Sequence, residues 1–314
     1  MRTHIRTNIT KAMVNFGHRY SLELGSGVGW HIIATEGMGG WVEKLASIME
    51  LKPCEPNGNP KLIFTKRESK EKRCCNLIRG LNENTLGSLP RKTWRAHNFG
   101  VLQLWSHDDV TDVICETGPE ENHDLDIIRM MLSVYPIYQR VLDSGGLPFH
   151  AALLERDGKG IVLAGSGGAG KSTCCRRIRH PWYALCDDET LIVRDDKMRY
   201  FAHPFPTWSE YIQRRSERTW NVQREVPLSS IFFLGHAETT EVIPIGQGKA
   251  AILINQSATE VCKRNWIHLD RGEQRGLRKK LFDNACEIAK TIPAFKLRVS
   301  LNGQFWEKIE KVLE

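Results

Sequence analysis

Ile161–Val162–Leu163–Ala164–Gly165–Ser166–Gly167–Gly168–Ala169–Gly170–Lys171–Ser172–Thr173 is the stretch on which the reading of this chain turns. Residues 165 to 172 match the pattern G-x-x-x-x-G-K-[ST] in full. The four apolar residues before it read as a short buried strand. A helix is expected from Lys171 to about Ile178, and Pro181 bars it from continuing. Glycines let backbone N–H groups converge on phosphate oxygens along a path that side chains would crowd. The helix start adds unpaired donors and a favourable dipole. The pattern therefore predicts a nucleoside triphosphate, ATP with Mg²⁺, held by Gly165, Ser166, Gly167, Gly168, Ala169, Gly170, Lys171, Ser172 and Thr173. Lys171 is expected on the β and γ phosphates and Ser172 on Mg²⁺. The motif alone does not separate a kinase from an ATPase or a GTPase.

Downstream, Trp182–Cys186 reads as the next strand and delivers Asp187 and Asp188 at its end. A carboxylate placed there holds Mg²⁺ or accepts a proton from an attacking hydroxyl. Successive side chains on a strand point oppositely, so the two acids need not share one task. The plain alternative is a solvated acidic turn with Glu189. His150 opens a strand over His150–Leu153. A lone histidine is more often a satisfied structural group. If its strand neighbours the one ending at Asp187, the imidazole can orient or tune a carboxylate.

Further out, Thr190–Val193 and Met198–Phe201 read as a hairpin around Asp195–Lys197, and Ser230–Leu234 with Glu241–Ile245 as another. Asp270 followed by Glu273 reads as a capping box opening a helix that reaches about Ala289. A strand at Phe295–Ser300 and a helix at Gln304–Leu313 close the chain. Upstream, Leu125, Ile128, Leu132, Tyr135 and Tyr138 mark one broad face of a helix over Asp124–Val141, with Asn122 as N-cap and Pro136 kinking or splitting it. The domain boundary is placed before this helix. Residues 1–120 are expected to form a smaller N-terminal α+β domain that recognises substrate or a partner, and residues 121–314 the ATP-binding domain. The first domain reads as strands at Tyr20–Leu24, Ile32–Ala34, Lys61–Thr65, Thr93–Ala96, Val101–Trp105 and Asp112–Glu116. Helices are expected at Val42–Leu51 and Cys74–Leu81.

Composition narrows the class. With 41% hydrophobic and 26% charged residues, the chain is an ordinary globular one rather than a disordered one. The net charge of +7 suits a polyanionic ligand or an acidic partner. The basic residues are spread along the chain, and the run Lys66–Arg73 contains two acids, which argues against a nucleic-acid groove. Nine cysteines, an odd number without a C-x-x-C pair, disfavour a disulfide framework and a cysteine zinc site. Reduced thiols in the cytoplasm fit best. Met1–Thr10 lacks a signal core, and no apolar stretch approaches the roughly 18 residues needed to span a membrane.

The segments Phe149–His150–Ala151, Ile161–Thr173 and Ala184–Leu185–Cys186–Asp187–Asp188 resemble the HPr kinase/phosphorylase-like family, whose nucleotide domain is similar to that of ATP-dependent phosphoenolpyruvate carboxykinases. The resemblance is good over about residues 145–200 and weak over the rest of the C-terminal half. It implies an α/β fold with a mixed-sheet P-loop kinase core. It also implies that His150 lies close to Asp187, that Asp187 is the general base, and that Asp188 lies near the metal. The hairpins after Asp188 agree, since ordinary parallel P-loop folds continue with helical crossovers. Thr173 stands where HPr kinases usually carry Glu, and their glycine-rich signature after the Asp pair is missing. This speaks against HPr as substrate and against phosphorylase activity. The layout is similar to the divergent branch found in peptide-modification clusters, including lasso-peptide kinases and ScmC-like cassette proteins.

The leading expectation is a Mg²⁺–ATP phosphotransferase acting on a hydroxyl of a peptide or a small molecule. Asp187, His150 and Lys171 would be its catalytic residues, and Ser172 and Asp188 would lie at the metal. Arg214, Arg215 or Arg218 would guide an anionic substrate, although a solvated basic face explains them equally well. The competing readings are an ATP-binding maturation or regulatory protein without stable phosphoryl transfer, and a carboxykinase-like enzyme acting on a small carboxylate. No membrane or nucleic-acid partner is expected, and a homo-oligomer is left open.

Overall fold

Alternation of buried and exposed side chains builds the first sheet: in Arg19–Leu24 (β1), Leu22 and Leu24 are buried and Glu23 between them is exposed. The computed structural model describes residues 18–25, 27–55, 58–67, 94–118, 123–213, 217–266 and 269–313. Strand β1 pairs antiparallel with Val28–Ala34 (β2), which is buried along its whole length, and helix Gly39–Ile48 (α1) follows. Lys52–Pro53 (β3) extends the sheet beyond β1. Lys61–Lys66 (β4) runs parallel to β2 and to Val110–Thr117 (β7), and Arg95–Asn98 (β5) and Leu102–His107 (β6) complete it. Among the described residues this is a mixed sheet of order β3-β1-β2-β4-β7-β6-β5. The expected helix at Cys74–Leu81, the N-cap at Asn122, and Arg214 and Arg215 lie outside the described residues.

The long helix expected over Asp124–Val141 is two helices, His123–Ser133 (α2) and Tyr135–Asp143 (α3). Pro136 sits in the first turn of α3, where its missing N–H has no helical partner to lose. Leu147–Phe149 (β8), Ala151–Arg156 (β9) and Lys159–Ala164 (β10) follow, then helix Lys171–Arg177 (α4). Next come Tyr183–Cys186 (β11), Glu189–Arg194 (β12), Tyr200–Phe205 (β13) and the short helix Trp208–Ile212 (α5). Val226–His236 (β14), Glu241–Pro244 (β15), the helices Gln247–Trp266 (α6) and Arg271–Thr291 (α7), Ala294–Val299 (β16) and Phe305–Leu313 (α8) end the chain.

These strands form the second mixed sheet, of order β11-β9-β10-β14-β13-β12-β8, with β16 against β14 and β15 against β16. The expected β12–β13 hairpin forms, in register from Glu189↔Phe205 to Arg194↔Tyr200. The hairpin expected between Ser230–Leu234 and Glu241–Ile245 does not. Strand β14 is long enough to meet β13 at its start and to run parallel to β10 and β16 afterwards, so both of its edges are taken. Strand β15 pairs antiparallel with β16 instead.

Buried side chains explain why β10 is apolar without alternation. Val162 and Ala164 enter one core, and Ile161 and Leu163 the other, on the opposite face. The larger core is shared by the two sheets: Leu22, Trp30 and Phe64 belong to the same cluster as Phe149, Phe205 and Ile254. The segment 219–224 stitches the sheets together. Trp220 and Val222 donate backbone N–H to Ile48 and Met49 carbonyls, Thr219 bonds Glu50, and Gln223 accepts from Glu23 N–H. No helix of the described residues is long and apolar enough to cross a membrane.

Candidate functional site

The glycine loop leaves the end of β10 and enters α4 as the sequence predicts. Gly168 (φ 81°) and Gly170 (φ 98°) both adopt the left-handed conformation that side-chain-bearing residues avoid. A Cβ on Gly167 or Gly168 would meet no atom within 4 Å, so this side of the loop is open. Lys171 starts the helix yet is buried, at 7% exposure. Its ammonium donates to the Gly165 carbonyl at 2.9 Å and to His150 Nε2 at 2.8 Å. Burial depresses the Lys171 pKa, and Asp188 and Asp187 counter part of that shift.

His150 occupies the one-residue break between β8 and β9, and Asp187–Asp188 the break between β11 and β12. The register superimposes the two breaks: Phe149 faces Thr190 on one side and Leu153 faces Cys186 on the other. His150 is thereby brought to the acids, but not to the one expected. Its Nδ1 lies 3.3 Å from Asp188 Oδ1, whereas Asp187 Oδ1 accepts from the Thr207 hydroxyl at 3.0 Å. The resemblance implied His150 beside Asp187. Adjacent side chains leave the strand end in opposite directions, and the correction follows from that alternation. The backbone at His150 is clamped to α6, where Ser257 exchanges bonds with its carbonyl (3.0 Å) and its N–H (3.3 Å).

Lysine has only donors to offer, so Nε2 of His150 is the accepting nitrogen and Nδ1 carries the hydrogen toward Asp188. Burial first, and then the Lys171 charge, lower the His150 pKa, with Asp188 opposing. The arrangement is thus a neutral imidazole between a cation and a carboxylate. Behind it Glu189 is buried. It accepts a hydrogen bond from the Tyr138 hydroxyl and one from Arg264 Nη2 at 3.3 Å. Burial raises the Glu189 pKa to about 7 in spite of both partners. Burial pulls the Arg264 pKa down, but Glu189, Tyr138 and Asp188 together hold it above the usual value.

Several of these groups escaped the sequence reading. The sequence places Tyr138 only on a helix face and Glu189 only in a turn, and no local pattern singles out Thr207, Ser257 or Arg264. The exposed ring of His236, at the end of β14, lies beside Gly170. Helix α6 went unread although its buried positions Ala250, Ile254, Ala258, Val261, Cys262 and Asn265 keep helical spacing. Of the arginines proposed to guide substrate, Arg218 donates to the Leu185 carbonyl at 3.1 Å and covers the Trp220 ring. Cys174 and Cys186 are buried, and Cys175 is partly buried.

A family model described as "SynChlorMet cassette protein ScmC" matches residues 113–314. The chain belongs to the ScmC family. The match begins within β7 and takes in the loop, the His150–Asp188 contact and Arg264. No curated protein matches the chain.

Ser172, in the first turn of α4, and Asp188, beside His150, are the residues that could take part in holding a divalent cation. Among the described residues no group of three or more His, Cys, Asp or Glu side chains could hold a metal ion. The open loop and the buried ammonium at its base fit a polyphosphate.

Proposed function

We propose that this ScmC-family protein is a Mg²⁺–ATP-dependent phosphotransferase with a nucleotide core of HPr kinase/phosphoenolpyruvate carboxykinase type, acting on a hydroxyl of a peptide or small molecule. The observation that carries the reading is the convergence of Lys171, His150 and the Asp187–Asp188 pair at the base of a complete phosphate-loop motif. Bound ATP would supply the phosphoryl group and Mg²⁺ would offset its charge. Lys171, held by Gly165 and His150, is poised to donate to phosphate oxygens once they enter the loop. Asp188 and Ser172 would lie at the metal. Asp187, oriented by Thr207, would accept the proton of the acceptor hydroxyl.

Two measurements test this. Calorimetry of Mg²⁺–ATP binding should show clear weakening in Lys171→Ala with the fold intact, and equal affinity would remove the nucleotide site. Incubation with ATP, Mg²⁺ and candidate peptides or metabolites, read by intact mass, should show addition of one phosphoryl group. Tight ATP binding without transfer to any acceptor would instead favour a maturation or regulatory role.

A further inference from the structure

Strands β10, β14 and β16 run parallel and end at the same edge of the second sheet. Ligands of α/β sheets lie outside the carboxyl ends of such strands. The phosphate loop leaves β10 there, between two unlike flanks. On one side, β9 and β11 bring His150 and the acidic pair. On the other, β14 ends in His236. Alternation fixes the direction of its ring. Phe232 and Leu234 pack in the smaller core with Cys174 of α4, whereas Ile231 and Phe233 belong to the larger core. His236 continues the first set, so its side chain leaves β14 on the side of α4. The loop agrees: a Cβ built on Gly170 would lie 3.8 Å from His236 Cε1. The imidazole is exposed, and neither ring nitrogen has a hydrogen-bond partner among the described residues.

The backbone beyond this ring is braced. Ala237 N–H donates to the Val299 carbonyl at 3.1 Å, and Thr240 Oγ1 accepts from Ser300 N–H at 3.1 Å. Arg177, at the end of α4, donates to the Ser300 carbonyl at 3.2 Å and to the Gly303 carbonyl. The turn at 300–303 therefore ties the chain after His236 to the helix that follows the loop. Gly303 permits the close approach, since a Cβ there would collide with Ser300 Oγ and Thr240 Oγ1. A group held in place before its ligand arrives costs less to order on binding. With Lys171 on the β and γ phosphates, the acids mark the end from which the phosphoryl group would leave. The nucleoside end of the same ligand then lies toward the opposite flank, where His236 stands. An exposed aromatic ring offers any nucleobase a stacking surface.

We propose that the base of the bound nucleotide stacks on the imidazole of His236. The inference rests on the phosphate-loop reading, and its test separates the two. Calorimetry would compare Mg²⁺–ATP with Mg²⁺–tripolyphosphate, which has neither base nor ribose, on the full chain and on its His236→Ala and His236→Phe variants. Circular dichroism would check that both variants fold. His236→Ala should weaken ATP about tenfold and leave tripolyphosphate unchanged. His236→Phe, which keeps a ring without the nitrogens, should hold ATP near wild-type strength. Equal ATP affinity in His236→Ala would overturn the stack and leave the nucleotide site standing. A matching loss of tripolyphosphate in His236→Ala, or an equal loss of ATP in His236→Phe, would make the imidazole a polar ligand and overturn the stack as well. Failure of the wild type to bind either compound would remove the phosphate-loop reading and the stack with it.

Discussion

Lys171, His150 and Asp188 form a line of three groups in which each end fixes the middle, and this linkage has a measurable signature. Asp187 accepts a hydrogen bond from Thr207 and acts on the same ammonium through its charge. Residues that touch share a coupling energy of about 0.5–3 kcal/mol, whereas independent ones add. His150→Ala and Asp188→Asn should therefore be non-additive in their effect on phosphoryl transfer. Additivity in this pair would show that the imidazole does not act through Asp188. Asp187→Asn should lower kcat by about 10²–10⁴-fold with ATP still bound, the usual contribution of a general base. Asp188→Asn should respond in part to added Mg²⁺. Near-wild-type kcat in Asp187→Asn with the true acceptor would displace it from that role. The loop, Lys171 and the acidic pair were legible because each has a local signature: a glycine pattern, a strand, an acid at its end. Which acid meets His150 was not, because that depends on the register between two strand breaks far apart in sequence.

At the scale of elements, β13 carries an acid-sensitive group. His203 is buried, its Nδ1 lies 3.0 Å from the Val222 carbonyl, and burial lowers its pKa to about 4. Its pKa is below that of an unfolded histidine, so the unfolded chain binds the proton more readily. The associated stability is fully present above about pH 6.5 and is lost as pH falls toward 4, by on the order of 3 kcal/mol. Denaturant titrations of His203→Gln should show a shallower loss across that window, and an unchanged slope would mean that the imidazole is protonated in the fold. A second element test concerns α7, where Asp270 and Glu273 form a reciprocal capping box. Asp270→Ala should reduce stability by about 1 kcal/mol, visible as a shift in the denaturation midpoint at constant m-value. That box was legible from spacing alone. Helix α6 was not, because its buried stripe is built largely from alanine, cysteine and an asparagine rather than from large apolar residues. The β15–β16 pairing was hidden for another reason: α6 and α7 intervene between the two strands.

The larger of the two cores is shared by both sheets. The first sheet's Leu22, Trp30 and Phe64 pack in the cluster that also holds Phe149 and Phe205. Arg140 of α3 donates to the Gly27 carbonyl and covers the Trp30 ring. A fragment spanning residues 121–314 should accordingly expose part of that core. It is expected to melt well below the full chain and to bind a hydrophobic dye. A cooperative melt at the full-length temperature would instead show that the C-terminal part folds independently. Sequence patterning located both groups of strands but could not reveal the shared core, which is a property of contacts between distant segments.

The stitch between the sheets also sets a clock for the growing chain. Helix α1 leaves the ribosome early, while its partner segment beginning at Thr219 lies 169 residues behind Glu50. At roughly 5–20 residues per second, the carbonyls of Ile48 and Met49 and the seat of Trp220 wait on the order of ten to thirty seconds for their cover. During that interval the nascent first sheet presents an apolar surface to the cell, a window in which a chaperone would find it.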